Sequence, residues 1–422
     1  MIFNDTKYNH DWNLKTLNQL GEFNRGKSKH RPRNDKKLFV DGKYPFVQTG
    51  EIKAANLFIR SHTEMYSEFG LQQSKLWNQN TLCITIAANI AETALLGYPM
   101  CFPDSVVGFN AYPSESSELF MHYVFTYIKK SIQKSASGSI QDNINIDYLT
   151  TLSFKTPDKS YQDKIVSVLL VLDSKIELNN RINTELEAMA KTLYDYWFVQ
   201  FDFPDKDGKP YKTSGGKMVW DEDLKRAIPD GWEVGQLKDI SNIIMGQSPP
   251  GETYNNEARG MIFFQGCTDF GNRFPIVRQF TTQPTRYAKE GDILLSVRAP
   301  VGTLNIAKEN CCIGRGLAAL NSKDNCIAYL FGVMINLKQI FDRRNTDGTT
   351  FGSITKDDLF SLTVVKPDKE TLSKYHEIIN PAFEKQNKIE LENQTLAELR
   401  DWLLPMLMNG QVQVKSHYVL NH

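Results

Sequence analysis

The chain has 422 residues, which is more than one ordinary hydrophobic core needs and predicts two domains with connecting elements. Hydrophobic residues make up 41% and charged residues 23%, as in typical soluble globular proteins. No apolar run reaches the roughly 18–20 residues that span a bilayer, and the N-terminus lacks the basic and apolar stretches of a secretory signal. We therefore expect a cytoplasmic protein with no membrane partner.

The charge is balanced overall but not locally. The 49 Lys and Arg residues equal the 49 Asp and Glu residues, which argues against a nucleic-acid-binding surface spread evenly over the molecule. Residues 21–43, however, hold eight basic residues against three acidic ones. A locally basic surface on a neutral chain suits a DNA-reading protein that shares its phosphate contacts with partner chains.

Residues 1–158 are predicted to form a first mixed α/β domain. Within them, residues 82–86 form a short apolar run that predicts a buried strand, and residues 119–131 predict a helix. From residue 159 the apolar positions follow alternate steps of three and four, which predicts a central spacer helix over residues 159–203 with a capping box at Ser160 and Asp163. Its expected seam, interrupted by polar Lys175 and Asn179, consists of Tyr161, Ile165, Val168, Leu172, Ile182, Leu186, Met189, Leu193 and Tyr196.

The second half of the chain repeats this order. Residues 204–230 predict a linker, and residues 231–368 a second mixed domain with a strand at 293–297 and a helix at 326–341. Residues 369–410 predict a distal spacer helix that Pro381 should kink or split, and residues 411–422 a tail. The expected seam of this helix consists of Ile389, Asn393, Leu396, Leu399 and Leu403.

The two halves are also related residue by residue, which indicates an internal duplication. The matching segments occur in the same order in both halves, and the offset drifts only from 220 to 210. They include Trp12–Leu17 with Trp232–Leu237, Gly26-Lys-Ser28 with Gly246-Gln-Ser248, Phe46-Val-Gln48 with Phe263-Phe-Gln265, Cys101 with Cys312, and Pro157-Asp158 with Pro367-Asp368.

These patterns together predict the fold class. We expect an α+β protein with two mixed α/β domains separated by two long helices, which form an antiparallel coiled coil and give the chain a pseudo-two-fold internal repeat. Antiparallel pairing of helices of this length would hold two DNA-reading domains more than one helical turn of DNA apart.

Catalytic and metal-binding motifs are weak in this sequence. The string Ser248-Pro-Pro-Gly251 lacks the amide or acid and the aromatic that an adenine methyltransferase loop needs, and Gly26-Lys-Ser28 is only the end of a phosphate loop. The carboxylates of residues 204–209 are interpreted as a linker turn. The six cysteines form no C-x-x-C pair and are predicted to be reduced core residues, so no catalytic, cofactor or metal site is expected.

Several segments resemble a known family. Trp197-Phe-Val-Gln-Phe-Asp-Phe-Pro204, Ile228-Pro-Asp-Gly-Trp232 and Gly246-Gln-Ser-Pro-Pro-Gly-Glu-Thr-Tyr254 are similar to segments of the specificity subunits of Type I restriction–modification systems, as are Phe264-Gln-Gly266 and Gly314-Arg-Gly-Leu-Ala-Ala319. The resemblance extends over essentially the whole chain, although the first recognition domain matches mainly at its edges.

The resemblance implies a non-catalytic subunit whose two target-recognition domains each read one half of a split, asymmetric site in double-stranded DNA. It implies two methyltransferase subunits that carry S-adenosylmethionine, and restriction subunits that use ATP and Mg. Two alternatives of other classes remain open at this point, a stand-alone DNA methyltransferase or nuclease, and a coiled-coil scaffold with no role on DNA.

DNA-contacting residues are expected in the loops of each domain, because Arg and Lys suit guanine while Asn and Gln suit adenine. For the first domain the candidates are Lys27, Ser28, Lys29, Arg31, Arg33, Gln48, Thr49 and Ser137. For the second domain they are Gln247, Ser248, Tyr254, Gln265, Arg298, Arg315, Arg343, Arg344 and Thr346.

Overall fold

The computed structural model describes residues 5–137, 144–346 and 353–414, without the side chains of residues 135–137, 339, 340 and 342–346. By its internal contacts the chain divides into two compact units. The first unit is Met1–Leu178 with Asn393–His422, and the second unit is Asn179–Glu392. No helix in the described part of the chain is long and apolar enough to cross a lipid bilayer.

The first half of the chain begins with a mixed domain and ends in a long helix. Its strands are β1 (Asn13–Thr16), β2 (Gly21–Arg25), β3 (Tyr44–Phe46), β4 (Phe58–Ile59), β5 (Glu64–Tyr66), β6 (Leu76–Trp77), β7 (Leu82–Thr85), β8 (Thr93–Leu96), β9 (Met100–Cys101), β10 (Val106–Ala111) and β11 (Ser153–Thr156). Its helices are α1 (Leu17–Leu20), α2 (Thr49–Ala54), α3 (Glu68–Gln72), α4 (Glu118–Ser137), α5 (Ile146–Thr150) and α6 (Lys159–Tyr194), the last followed by a π-helical turn at Asp195–Val199.

The second half has the same succession after a hairpin. Its strands are β12 (Met218–Asp221), β13 (Arg226–Pro229), β14 (Glu233–Gln236), β15 (Ser241–Met245), β16 (Tyr254–Asn255), β17 (Met261–Phe264), β18 (Phe280–Thr281), β19 (Tyr287–Ala288), β20 (Ile293–Ser296), β21 (Leu304–Ile306), β22 (Cys311–Ile313), β23 (Leu317–Ser322) and β24 (Thr363–Lys366). Its helices are α7 (Leu237–Ile240), α8 (Ile327–Thr346), α9 (Lys356–Phe360) and α10 (Lys369–Met408).

Sheet topology confirms the internal repeat. The first domain has sheets in the orders β2-β10-β7-β8-β4 and β5-β3-β9-β6, and the second has β15-β23-β20-β21 and β16-β18-β17-β22-β19. In each domain the central pair of the second sheet is parallel, with Phe46 opposite Cys101 and Phe263 opposite Cys312. These are the residues that the sequence alignment matched, so the duplication holds at the level of strand register. The predicted strands at 82–86 and 293–297 are fully buried in β7 and β20.

Each unit has one main core that joins its sheet to both long helices. In the first unit Ile84 of β7, Phe109 of β10 and Phe125 of α4 share a cluster with Leu169 of α6 and Leu407 of α10, all at most 1% exposed. Burying a side chain of this size stabilises a fold by roughly 1.5–3 kcal/mol. The second unit has an equivalent cluster, in which Leu295, Leu320, Leu330, Trp197 and Tyr375 are buried.

The long helices run antiparallel within the first unit. The Val414 backbone N–H donates to the Tyr161 hydroxyl at 3.0 Å, and Arg400 Nη1 donates to Asp173 Oδ1 at 2.9 Å. The residue number therefore falls along α10 and the segment after it as it rises along α6. Asp173 is buried and also accepts a hydrogen bond of 2.6 Å from the Tyr123 hydroxyl, which joins α4 to both long helices.

The second unit shows the same antiparallel pairing. Asn179 Nδ2 donates to Glu392 Oε2 at 2.8 Å, and in the π-helical turn after α6 the Trp197 ring lies 5.6 Å from that of Tyr375. Asn179 is 1% exposed, as predicted for a polar residue in the seam, and Asn393 in the first unit is buried too. The predicted antiparallel pairing is thus confirmed inside each unit.

Parts of the predicted seam are wrong. Met189, Tyr196 and Leu399 are 48%, 37% and 41% exposed. Instead, Tyr194 is buried on α6, and Arg400 on α10 turns inward to bind Asp173. The physical reason is that each helix packs against a partner helix and against a globular domain, so its buried positions differ from those of a seam that faces a single helix.

The predicted capping box, and the predicted split of the distal helix at Pro381, are also wrong. The Tyr161 backbone N–H is capped by Asp158 Oδ1 at 2.8 Å, while Asp163 forms an ion pair of 2.6 Å with Lys159 instead. Helix α10 is continuous through Pro381, because proline removes only one backbone hydrogen bond while Phe383, two residues further on, is held in the core. All six cysteines are free, and every one except half-buried Cys267 is buried, as predicted.

Candidate DNA interface

A Gly-x-Ser turn follows the first strand of the main sheet in both domains. The backbone N–H of Gly26 donates to Val106 O at 2.8 Å, and that of Gly246 donates to Leu317 O at 2.9 Å. A Cβ on Gly26 would lie 2.3 Å from Pro103 O, and a Cβ on Gly246 would lie only 2.1 Å from Gly314 O. Glycine is therefore required at both places, because the turn packs backbone against backbone.

In the second domain this turn brings three predicted residues together. Gln265, which directly follows β17, donates from Nε2 to Ser248 Oγ at 2.9 Å. The backbone N–H of Arg315 reaches the same hydroxyl at 3.4 Å. Arg315 is exposed between buried Gly314 and Gly316, so its side chain is free to extend from a rigid turn. Gln247 lies exposed beside this group, and its carbonyl accepts a 2.5 Å hydrogen bond from Thr285.

In the first domain the corresponding residues line a cavity of about 590 Å³. Ser28, Arg33, Gln48 and Thr49 all border it, so sequence-predicted residues from two separate segments do meet. Gln48 follows β3 as Gln265 follows β17, and its Nε2 donates to Glu64 Oε2 at 2.8 Å. Such a cavity combines amide, hydroxyl and guanidinium groups, which are the groups that read base edges.

Aromatic side chains form one wall of this cavity. The rings of Phe46 and Tyr66 stack with centroids 4.2 Å apart. Burial raises the pKa of Tyr66 to about 12, although a hydrogen bond with Ser28 acts in the opposite direction. Tyr66 therefore stays neutral at physiological pH and keeps its hydroxyl proton as a hydrogen-bond donor.

The basic segment of the first domain is folded back on itself. Arg33 Nη2 donates to both carboxylate oxygens of Asp104, at 2.8 and 3.1 Å. Arg31 Nη2 lies 3.7 Å from the same carboxylate, and its Nη1 donates to Ser28 O at 2.5 Å. Lys27 and Lys29 are exposed beside them, in positions suited to phosphate contacts.

The remaining predicted residues do not join these two groups. The Tyr254 hydroxyl donates to Pro249 O at 3.0 Å and its ring lies 4.8 Å from Phe263, so it mainly supports the loop. Arg298 is exposed after β20, and its carbonyl accepts from Ser296 Oγ at 2.7 Å. The side chains of Ser137, Arg343, Arg344 and Thr346 lie outside the described residues.

Sequence reasoning missed Asp104. It considered only residue types that commonly contact bases or phosphates, and an isolated aspartate is not one of them. The repeat contained the signal, because counting forward from the matched Cys101 and Cys312 places Asp104 opposite Arg315. Within the described ranges, no three His, Cys, Asp or Glu side chains are arranged to hold a metal ion.

Two duplicated mixed domains with polar loops of this kind define a class of DNA-recognition protein, and comparison with known proteins identifies the family. The model of the Type I restriction modification DNA specificity domain matches residues 9–188 and 229–401. The chain belongs to this family, and the two matches correspond to its two repeats. It is thus a specificity subunit of the Type I restriction–modification class.

Individual relatives agree with this assignment. A Methanocaldococcus jannaschii protein named as the specificity subunit of the type I restriction enzyme MjaX is 31% identical over 305 residues, 71% of this chain and 68% of the relative. The MjaIX specificity subunit of the same organism is 24% identical over 428 residues, 96% and 94% of the two chains. The S subunit of a Type I system from M. genitalium shares the fold, with a TM-score of 0.59 at 17% identity over 96% of this chain and 99% of that one.

Proposed function

We propose that this chain selects the DNA target of its complex, with each domain reading one half of a bipartite, asymmetric site. The observation that carries the proposal is the repeated framework with different side chains. Each domain has a Gly-x-Ser turn and a glutamine after a central strand, yet Asp104 in one stands opposite Arg315 in the other. Equal backbone geometry with unequal chemistry suits two half-sites of different sequence.

We further propose that the chemistry belongs to partner chains. Two methyltransferase subunits carrying S-adenosylmethionine would bind, since a duplicated chain offers an equivalent surface twice. Restriction subunits using ATP and Mg would complete the complex, which would act on double-stranded DNA in the cytoplasm. The balanced net charge supports this arrangement, because much of the phosphate binding would then come from the partners.

Exposed apolar side chains on the helices support partner binding. Trp402 of α10 is 57% exposed and Leu399 is 41% exposed, and Val171 of α6 is 68% exposed. Large apolar side chains that are left exposed on a helix commonly mark an interface. We assign this helical surface of the first unit to a methyltransferase subunit.

A reconstitution experiment tests the division of labour. The purified chain, the methyltransferase subunit and the two together are each incubated with tritiated S-adenosylmethionine and genomic DNA that carries no adenine methylation. We expect methyl transfer at specific sites only when both chains are present. Transfer by this chain alone would show that it is an enzyme. Equal, unspecific transfer with and without it would favour a scaffold with no DNA-reading role.

A further inference from the structure

In each domain, a short turn lies beside the Gly-x-Ser segment. In the first domain Val106 N donates to Pro103 O at 3.1 Å, and in the second Leu317 N donates to Gly314 O at 3.0 Å. Both are four-residue turns that lead into the strand paired with β2 or β15. The first central residue of the turn is Asp104 in one domain and Arg315 in the other.

The first central residue of the turn is therefore negatively charged in the first domain and positively charged in the second. A guanidinium is nevertheless present at the turn in the first domain too. Asp104 accepts hydrogen bonds of 2.8 and 3.1 Å from Arg33, which comes from the basic segment after β2. Arg33 is 53% exposed at its side chain, and Asp104 is 36% exposed. Each domain therefore presents a guanidinium at the same turn, supplied by the turn itself in one case and held by the turn's carboxylate in the other.

We infer that Asp104 is the positioning residue that aims Arg33 at a base in the first half-site. The inference rests on the proposed function. An arginine reads guanine through two donors directed at O6 and N7, so its plane must be held in one orientation. A free arginine side chain has many rotamers, and an ion pair with a residue on a rigid turn removes much of that freedom before DNA binds. The base read in this way would be guanine.

This role differs from a direct contact by Asp104. An ionised carboxylate only accepts hydrogen bonds, so it has no donor for the acceptor edge of guanine. It would also be repelled by the phosphate backbone unless a cation accompanied it. With Arg33 and Arg31 beside it, Asp104 instead resembles the supporting residues that orient a contact made by another side chain.

The test uses the two half-sites as controls for each other. The chain and its methyltransferase subunit are produced together in a host without adenine methylation, and methylated adenines are mapped across the genome. Asp104→Asn removes the charge that holds the guanidinium, and Arg33→Lys keeps a positive charge but loses the two-pronged geometry. Asp104→Glu keeps the carboxylate. Glu115→Gln is the matched control, because Glu115 pairs with Lys15 at 2.5 Å and is 38% exposed.

We expect Asp104→Asn and Arg33→Lys to lower the preference for guanine at one position of the first half-site by about tenfold, with the second half-site unchanged. Asp104→Glu should retain the preference, and Glu115→Gln should match the original chain. Unchanged motifs in both variants, or equal loss in both half-sites, would overturn the inference. The original complex showing no sequence preference would instead contradict the proposed function.

Discussion

Arg315 is the predicted base-reading residue whose surroundings are best defined. Its backbone is fixed by flanking glycines and by the contact with Ser248, while its side chain is exposed. If it reads a guanine edge, Arg315→Ala should weaken binding of the assembled complex to its target by roughly 1–3 kcal/mol. Fluorescence anisotropy at one fixed salt concentration measures this change. The control is Arg259→Ala, an exposed arginine paired with Glu257 at 2.8 Å. Equal affinities for the two variants would remove Arg315 from the interface.

His122 gives the first unit a specific pH dependence. Burial, and secondly the charge of Arg400, lower the pKa of His122 to about 4 from the ordinary value of 6.5, and its Nδ1 lies 3.0 Å from Thr93 Oγ1. Between these values the unfolded chain binds the proton and the folded chain does not. Stability is therefore full above pH 6.5 and should fall on acidification, by roughly 2 kcal/mol at pH 5.

Urea unfolding at pH 7 and pH 5 tests this expectation. His122→Gln removes the titrating group, so the loss between the two pH values should be about 2 kcal/mol smaller in the variant than in the original chain. Because each protein is compared with itself at the two pH values, a destabilisation of the variant that is equal at both does not affect the result. Identical pH dependence in both proteins would show that His122 is not the responsible group.

At the level of single residues, the sequence was informative where residue type and motif agreed. Ser248, Gln265 and Arg315 were predicted from separate segments, and they meet around one hydroxyl. Asp104 was missed because its role depends on a partner more than seventy residues before it in the chain, Arg33. Residue type alone does not reveal a side chain that acts through another one.

Among the elements, strands and helices were easier to predict than the surfaces they bury. The runs at 82–86 and 293–297 contain buried strands, because side chains of an unbroken apolar segment point to both faces of a sheet and both faces must then be buried. Periodicity located both long helices, but it assumed a single partner surface. Buried, paired polar residues such as Asp173 occupy positions that a purely apolar seam would exclude.

The start of each long helix carries an equivalent cap. Asp158 Oδ1 accepts from Tyr161 N at 2.8 Å, and Asp368 accepts from Thr371 N at 2.9 Å and from the Trp232 ring at 2.9 Å. Partial burial opposes ionisation, yet the hydrogen bonds from Thr371 and Trp232 leave the pKa of Asp368 below its ordinary value. The caps should therefore stabilise the fold at neutral pH and lose this effect as pH falls below about 4.

Replacing a cap tests its contribution to stability. Asp368→Ala and Asp158→Ala should each lower the free energy of unfolding by about 1–2 kcal/mol at pH 7, as measured with urea. Asp163→Ala is the control, because Asp163 is exposed, lies one turn into α6 and pairs with half-buried Lys159. Its effect should stay within about 0.5 kcal/mol. A loss at Asp163 as large as that at Asp158 would place the cap where the sequence first predicted it.

At the scale of the whole molecule, the chain is an internal duplication. Each contact-based unit contains one recognition domain and a part of each long helix, so neither repeat of the sequence forms a unit by itself. The second domain repeats the turn and the helix cap of the first, and its two sheets have equivalent central strands, with β4 added at the edge of one sheet in the first domain and β16 at the edge of the other sheet in the second. What changed between the copies is the chemistry of the loops, as in the exchange of aspartate for arginine at the shared turn. This divergence is what an asymmetric DNA target requires.

The most direct test of that claim is the methylation motif of the original complex. The chain and its methyltransferase subunit are expressed in a host without adenine methylation, and every methylated adenine is mapped by single-molecule sequencing. We expect one motif with two different specified segments separated by a constant number of unspecified bases. A single uninterrupted motif, or two identical halves, would contradict it.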